Sequence, residues 1–121
     1  MNTKTITANG IDIAVIQSEG VIVTDVQSML NLIATVGFEH RCERIILSKE
    51  AMTEDFFKLS TGVAGEILQK VTNYGMKIAI VGDFSAYTSK PLHDFIYESN
   101  KGNTVFFAVN EDEAIEKLSR T

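Results

Sequence analysis

The sequence predicts a single α/β domain over residues 1–121, with the element order ββαβαβαβα and a mixed, mostly parallel sheet of five strands with four helices. Asn9-Gly10, the strongest two-residue hairpin signal, separates two short alternating stretches. Beyond the hairpin, short apolar runs typical of buried strands alternate with stretches whose apolar residues have helical spacing. Strands joined by helices pair in parallel through right-handed crossovers, so only the first strand is expected to be antiparallel.

The strands are expected where apolar residues dominate. Residues 4–8 and 11–17 form the hairpin, and Ile11, Ile13 and Val15 share one face. The three later strands are predicted at residues 44–48, 76–81 and 104–109. Their apolar centres are expected to lie side by side, at residues 45–47, 78–81 and 105–107.

The first two helices are expected between these strands. A capping box of Thr24 and Gln27 predicts the first helix over residues 25–36. The second, over residues 54–74, stops at Gly75. Because Gly62 and Gly65 each cost about 1 kcal/mol inside a helix, this helix either begins near Ser60 or packs closely against a neighbour.

The last two helices also have capping signals. Ser89 caps a helix over residues 90–100, and Asn110 with Glu113 forms a capping box for the terminal helix. The core positions expected in the first, third and fourth helices are Val26, Met29, Leu30, Ile33, Leu92, Phe95, Ile96, Ala114, Ile115 and Leu118.

Composition excludes several classes of protein. Sixteen acidic and eleven scattered basic residues give a net charge of −5, so no nucleic-acid partner is expected. Cys42, the only cysteine, excludes an intramolecular disulfide and a cysteine-rich zinc site. Because the sequence has neither a signal-peptide pattern nor an apolar stretch of spanning length, we expect a cytoplasmic protein without membrane contact.

The candidate site lies at the carboxyl edge of the predicted sheet, where loops and helix N-termini converge. Segments 48–50 and 82–90 and Asn110 are expected to meet there. The residues expected to bind a ligand or partner are Asp83, Ser85, Tyr87, Thr88, Ser89 and Lys90. The alternative is structural, since these residue types are common in turns and Tyr87 can cover the core.

Lys90 has an unusual position for a lysine. A cation in the first turn of a helix opposes the helix dipole, so an anion is expected nearby: Asp83, Glu50 or a bound phosphate. The alternative is a solvated lysine. The segment is not a nucleotide-binding P-loop, because the second glycine is missing and the order Ser89-Lys90 is reversed.

The sequence contains no catalytic or metal-binding motif. His40 and His93 are expected to lie apart, so neither a metal nor a cofactor is predicted. The serines lack a nucleophile elbow, and Glu54 and Asp55 suit the first turn of a helix better than catalysis. An enzyme is therefore less expected than a binding protein.

Residues 54–57, 59–62 and 82–90 are similar to segments of the bacterial domain of unknown function 4180 family, and the resemblance extends over nearly the full chain. That family implies no function. More distantly, a hairpin followed by βα units resembles the STAS domain of anti-sigma-factor antagonists. The STAS resemblance implies possible phosphorylation of Ser60 or Thr61, at the start of the helix after the third strand, although Leu59 replaces the aspartate of the STAS motif.

These observations favour a STAS-like regulatory or ligand-responsive interaction module that acts by binding. The alternative is a small enzyme or a binder of a small anionic ligand that uses the 82–90 loop. The partner is therefore an unknown protein or a small anion. A homodimer is also expected, because the apolar residues are more than a 121-residue core can fully bury; among them are Ile11, Ile13, Phe56, Phe57 and Phe107.

Overall fold

The computed structural model describes residues 1–120. The strands are β1 (Asn2–Ala8), β2 (Ile11–Gln17), β3 (Arg44–Ser48), β4 (Lys77–Val81) and β5 (Val105–Ala108). The helices are α1 (Val26–Ala34), α2 (Val63–Asn73), α3 (Lys90–Lys101) and α4 (Glu111–Ser119). The predicted α/β class and element order are confirmed.

The five strands lie in the sheet in sequence order, from β1 to β5. β1 is antiparallel to β2 and the other neighbours pair in parallel, as predicted. Asn9 and Gly10, with φ of 53° and 77°, form the turn between β1 and β2. Two successive positive φ angles are what a tight hairpin turn requires, which explains the strength of this sequence signal.

The sheet separates two apolar layers. One face packs α1, α2 and α3 against alternate strand residues such as Ile45 and Ile78. The other face packs Ala114 and Leu118 of α4 against residues such as Ile46 and Ala79. Because side chains alternate along a strand, the nearly continuous apolar run of β4 serves both layers.

The first helix begins and ends differently from the prediction. Its N-cap is Asp25, whose carboxylate accepts a hydrogen bond from the Ser28 amide at 2.8 Å, so the predicted Thr24–Gln27 box is wrong. The Ser28 hydroxyl accepts in return from the backbone N–H of Asp25 at 3.1 Å. α1 ends at Ala34, and a π-helical turn, Thr35–Glu39, continues the chain.

The predicted helix over residues 54–74 is wrong in its first half. Two short 3-10 turns, Glu54–Phe57 and Leu59–Thr61, precede α2. Gly62 has a φ of 78°, a left-handed conformation that interrupts helical geometry and leaves α2 to begin at Val63. The alternative of a start near Ser60 is therefore close to the observed one, with Gly62 at the boundary and Gly65 inside α2.

The third and fourth helices begin as predicted. Leu92 donates its amide to the Ser89 hydroxyl at 3.3 Å, and Glu113 donates its amide to the Asn110 side chain at 2.8 Å.

The apolar residues that suggested self-association are mostly in the core. Ile13, Phe56, Phe57 and Phe107 are buried, and Ile11 is half-buried. This reason for expecting a dimer is therefore wrong. The exposed large apolar side chains are others, among them Phe38 and Tyr74.

Candidate functional site

The strands β3 and β4 end side by side, with Ser48 paired to Val81, and Lys49 therefore lies beside Gly82. A Cβ atom on Gly82 would lie 2.7 Å from the Cβ of Lys49, closer than real Cβ contacts allow. The glycine thus permits close approach of the two segments, which confirms that residues 48–50 and 82–90 meet at the carboxyl edge.

Lys49 connects the loop to the end of β3. Its ammonium group donates to the Asp83 carbonyl oxygen at 3.2 Å. The same group lies 4.8 Å from the centre of the Tyr87 ring, a cation–π distance. Lys49, which the sequence did not single out individually, therefore contacts the loop at both Asp83 and Tyr87.

Asp83 is used within its own turn. Its carboxylate accepts from the Ser85 hydroxyl at 2.6 Å and from the Ser85 amide at 2.9 Å. These two bonds, more than the nearby Lys49 charge, hold the pKa of Asp83 below its ordinary value. Both residues thus have the turn-forming role that was the structural alternative.

Tyr87 closes the loop over the core. Its ring stacks on Phe57 with centroids 5.3 Å apart, and its hydroxyl donates to the Glu54 carboxylate at 2.8 Å. Burial, followed by the Glu54 hydrogen bond and the negative charges of Glu54 and Glu50, raises the pKa of Tyr87. The phenol therefore stays protonated.

Lys90 pairs with neither of the two carboxylates expected for it. Its ammonium group lies 2.7 Å from the Asp94 carboxylate, one turn further along α3, and both side chains are largely exposed. The expectation of an ion pair with Asp83 or Glu50 is wrong. The unfavourable dipole position is offset by the next turn of the same helix.

Of the remaining candidate residues, some are exposed and others are hydrogen-bonded within the chain. Thr88 is exposed and Ser60 is exposed. The Thr61 hydroxyl lies 2.8 Å from the Lys58 carbonyl oxygen, to which it donates, and accepts from the Val63 amide at 3.2 Å. Asn110 is engaged in capping α4.

A second region, at the opposite edge of the sheet, contains an open cavity of about 660 Å³. It lies where α1 and α2 end and where β3 and β4 begin. Most of its lining is apolar, and the lining residues are Leu30, Ile33, Ala34, Gly37, Phe38, Arg41, Cys42, Glu43, Tyr74 and Met76. We call this region the amino-edge cavity.

The rim of the amino-edge cavity is aromatic and charged. Phe38 is 85% exposed and Tyr74 is 62% exposed. Arg41 and Glu43 are also exposed, and within residues 1–120 neither side chain has a hydrogen bond or an ion pair. Arg41 has a φ of 54°, so its backbone is held in the left-handed region.

Cys42 lies in the wall of the cavity and is buried. Burial raises the pKa of its thiol. The sulphur lies 3.4 Å from the His40 carbonyl oxygen, to which the thiol donates. The thiol is therefore neutral near pH 7.

Sequence reasoning missed this cavity although a signal was present. Phe38 stands among polar residues and glycine just after the first apolar helix stripe, and Tyr74 directly precedes the glycine that stops the second. Helices that connect parallel strands end at the amino edge of the sheet. Two aromatic residues at two such ends therefore indicate a shared surface.

Residues 8–118 match the family described as Domain of unknown function (DUF4180). The chain belongs to this family. The DUF4180 description assigns no activity. The chain has no match among curated proteins or among solved structures. In residues 1–120 of this DUF4180 member, every helix is too short or too polar to cross a bilayer.

Proposed function

We propose that this DUF4180 member acts by binding, and that the amino-edge cavity takes a small apolar molecule with an anionic group. The observation that carries the proposal is an open, mainly apolar cavity with the guanidinium group of Arg41, unpaired among residues 1–120, at its rim. At the carboxyl edge, by contrast, the polar groups of the 82–90 loop and of Lys49 and Glu54 largely bind one another.

The size and lining of the cavity suit a small organic molecule. About 660 Å³ falls within the roughly 300–1,000 Å³ of typical ligand pockets, which are mostly apolar with a few polar groups that set orientation. Leu30, Ile33 and Met76 supply the apolar wall. The ring of Tyr74 at the rim adds a surface on which a flat apolar group can stack.

The charge of the ligand follows from Arg41. A guanidinium group presents five N–H donors in a planar fork that fits a carboxylate, sulfonate or phosphate. Glu43 lies two residues away on the same rim and opposes an anion. Removal of the Arg41 charge should therefore weaken binding of an anion, and removal of the Glu43 charge should strengthen it.

The lining supports binding better than turnover. Cys42 is the only thiol, and burial keeps it in the neutral, weakly nucleophilic form. Its contact with His40 is to a backbone carbonyl, which cannot act as the base that activates a nucleophilic cysteine. A binding role needs only the apolar walls and the rim charge that the cavity has, and no activated nucleophile.

A regulatory, STAS-like role, phosphorylation at Ser60 or Thr61, and a cytoplasmic location stay predictions. The same holds for ligand binding by the 82–90 loop. The exposure of Ser60 is compatible with modification, whereas the Thr61 hydroxyl is already hydrogen-bonded at the start of α2.

The test is titration with anilinonaphthalene sulfonate, an apolar aromatic anion whose fluorescence rises on transfer from water. We expect saturable binding that Arg41→Gln weakens about tenfold or more, since hydrogen bonds to charged groups contribute about 1.5–3 kcal/mol. Glu43→Gln should strengthen binding.

Arg120→Gln is the matched control, because it removes the same charge from an exposed arginine outside the cavity lining. Circular dichroism shows that each variant is folded. Equal affinity of wild type, Arg41→Gln and Arg120→Gln for the probe would contradict the proposed function.

A further inference from the structure

The rim of the amino-edge cavity combines a protruding group with a recess. Phe38, on the π-helical turn after α1, is 85% exposed, the most exposed of the large apolar side chains in residues 1–120. Its ring forms part of the rim of an apolar cavity that is larger than a single phenyl ring. Leaving both in water is unfavourable, because exposed apolar area costs about 25 cal/mol per Å².

Two-fold symmetric association demands a surface that is complementary to itself. In such a dimer the same patch is used twice, so one patch must hold both the protruding group and its recess, and both signs of charge. The amino-edge cavity meets these conditions. Phe38 and the cavity are the first pair, and Arg41 and Glu43, without side-chain partners in the described part of the chain, are the second.

We infer that two copies of this chain associate through their amino-edge cavities, with Phe38 of each copy in the cavity of the other. Arg41 of one copy then pairs with Glu43 of the second copy, and the two-fold axis repeats the pair. The occupant is a second copy because charges of both signs on one patch complement each other across a two-fold axis.

If the cavity binds an anionic ligand, as in the proposed function, that ligand competes with self-association. An anionic ligand in the cavity occupies the space of the incoming Phe38 and the N–H donors of Arg41. Ligand binding and self-association are then mutually exclusive, and by linkage each weakens the other. The ligand therefore controls whether the chain is a dimer or a monomer.

The test is sedimentation velocity from about 1 to about 300 µM, a range suited to interfaces smaller than the standard size of about 1,600 Å². We expect wild type to pass from monomer to dimer and Phe38→Ser to stay monomeric. Tyr97→Ser is the matched control, because Tyr97 is 64% exposed on α3, outside the cavity lining. That variant should dimerise like wild type.

A charge swap tests the pairing directly. Arg41→Glu alone and Glu43→Arg alone should each weaken the dimer by placing like charges opposite each other, and the double variant should restore it. Failure of the double variant to recover dimerisation would overturn the assigned contact. A wild-type monomer throughout the range, or a dimer that survives Phe38→Ser, would overturn the dimer itself.

Saturating anilinonaphthalene sulfonate should dissociate the wild-type dimer, and its affinity for wild type should fall as protein concentration rises. For Phe38→Ser the affinity should not depend on protein concentration. Probe binding that leaves the dimer intact overturns the competition alone. A Phe38-dependent dimer that binds no probe overturns the proposed function and leaves self-association standing.

Discussion

At the carboxyl edge of the sheet, Lys49, Asp83 and Tyr87 each have a hydrogen-bond partner within the chain, whereas at the amino edge Arg41 and Glu43 have none among residues 1–120. The carboxyl edge is the usual location of ligand sites in open α/β sheets. Here the polar groups of the loops at that edge form hydrogen bonds with one another. A loop rich in hydrogen-bonding residues can thus use them to build its own turn, as Asp83 and Ser85 do here.

The substitution with the largest expected effect disrupts the close packing at the carboxyl edge. Gly82→Ala places a methyl group 2.7 Å from the Lys49 Cβ, an atom near the backbone that cannot simply rotate away. We expect a loss of about 1–3 kcal/mol in the free energy of unfolding, measured by urea denaturation.

Gly65→Ala is the matched control for this substitution. Gly65 lies in α2 with no atom within 4 Å of its added Cβ. Alanine there should stabilise the protein by up to about 1 kcal/mol, because alanine favours helix. Equal stability of the two variants would show that the Gly82–Lys49 approach is not tight.

A second, smaller effect concerns Tyr87 and its Glu54 bond. Tyr87→Phe removes one hydrogen bond from a half-buried side chain and should cost about 0.5–1.5 kcal/mol near pH 7. Tyr97→Phe should have no measurable cost, because its exposed ring contacts Lys101 without using the hydroxyl. A cost for both would assign the effect to something other than the Glu54 bond.

The raised pKa of Tyr87 predicts how the free energy of unfolding depends on pH. Because the folded state raises the pKa of Tyr87 above its ordinary value of 10.0, the unfolded chain loses this proton first. The contribution to stability is present below pH 10 and is lost as pH rises above it. Cys42, with an ordinary thiol value of 9.0 and a raised pKa, acts in the same direction.

Unfolding free energies measured by urea at pH 8 and at alkaline pH check this sign. Tyr87→Phe should show a smaller alkaline loss than wild type, with the part due to Cys42 remaining. A loss of the same size in wild type and Tyr87→Phe would remove Tyr87 as its source.

The smallest effect concerns Lys90. Its exposed i,i+4 pair with Asp94 should contribute only about 0.3–0.5 kcal/mol, so Lys90→Met should barely change stability. In double-mutant cycles, Lys90→Met should couple with Asp94→Asn and be additive with Asp83→Asn. Coupling with Asp83 instead would restore the loop to its predicted role as a charged site.

The sequence by itself determined the parts of this fold that depend on neighbouring residues. The Asn9-Gly10 turn, the buried centres of β3, β4 and β5, and the caps at Ser89 and Asn110 were all predicted, because local backbone conformation and side-chain periodicity specify them. The predicted helix starts were wrong where two nearby residues could each begin or interrupt the helix. Asp25 displaced Thr24 as the N-cap, and Gly62 divided the second helix.

Tertiary structure alone decided which polar groups remain available. Tyr87 reaches Glu54 across 33 positions of sequence, and Lys49 reaches Asp83 across 34, so no local pattern shows that these groups are occupied. The amino-edge cavity likewise exists only because α1 and α2 end beside each other. Its walls come from residues far apart in the chain, and the space between them depends on how the two helices pack on the sheet.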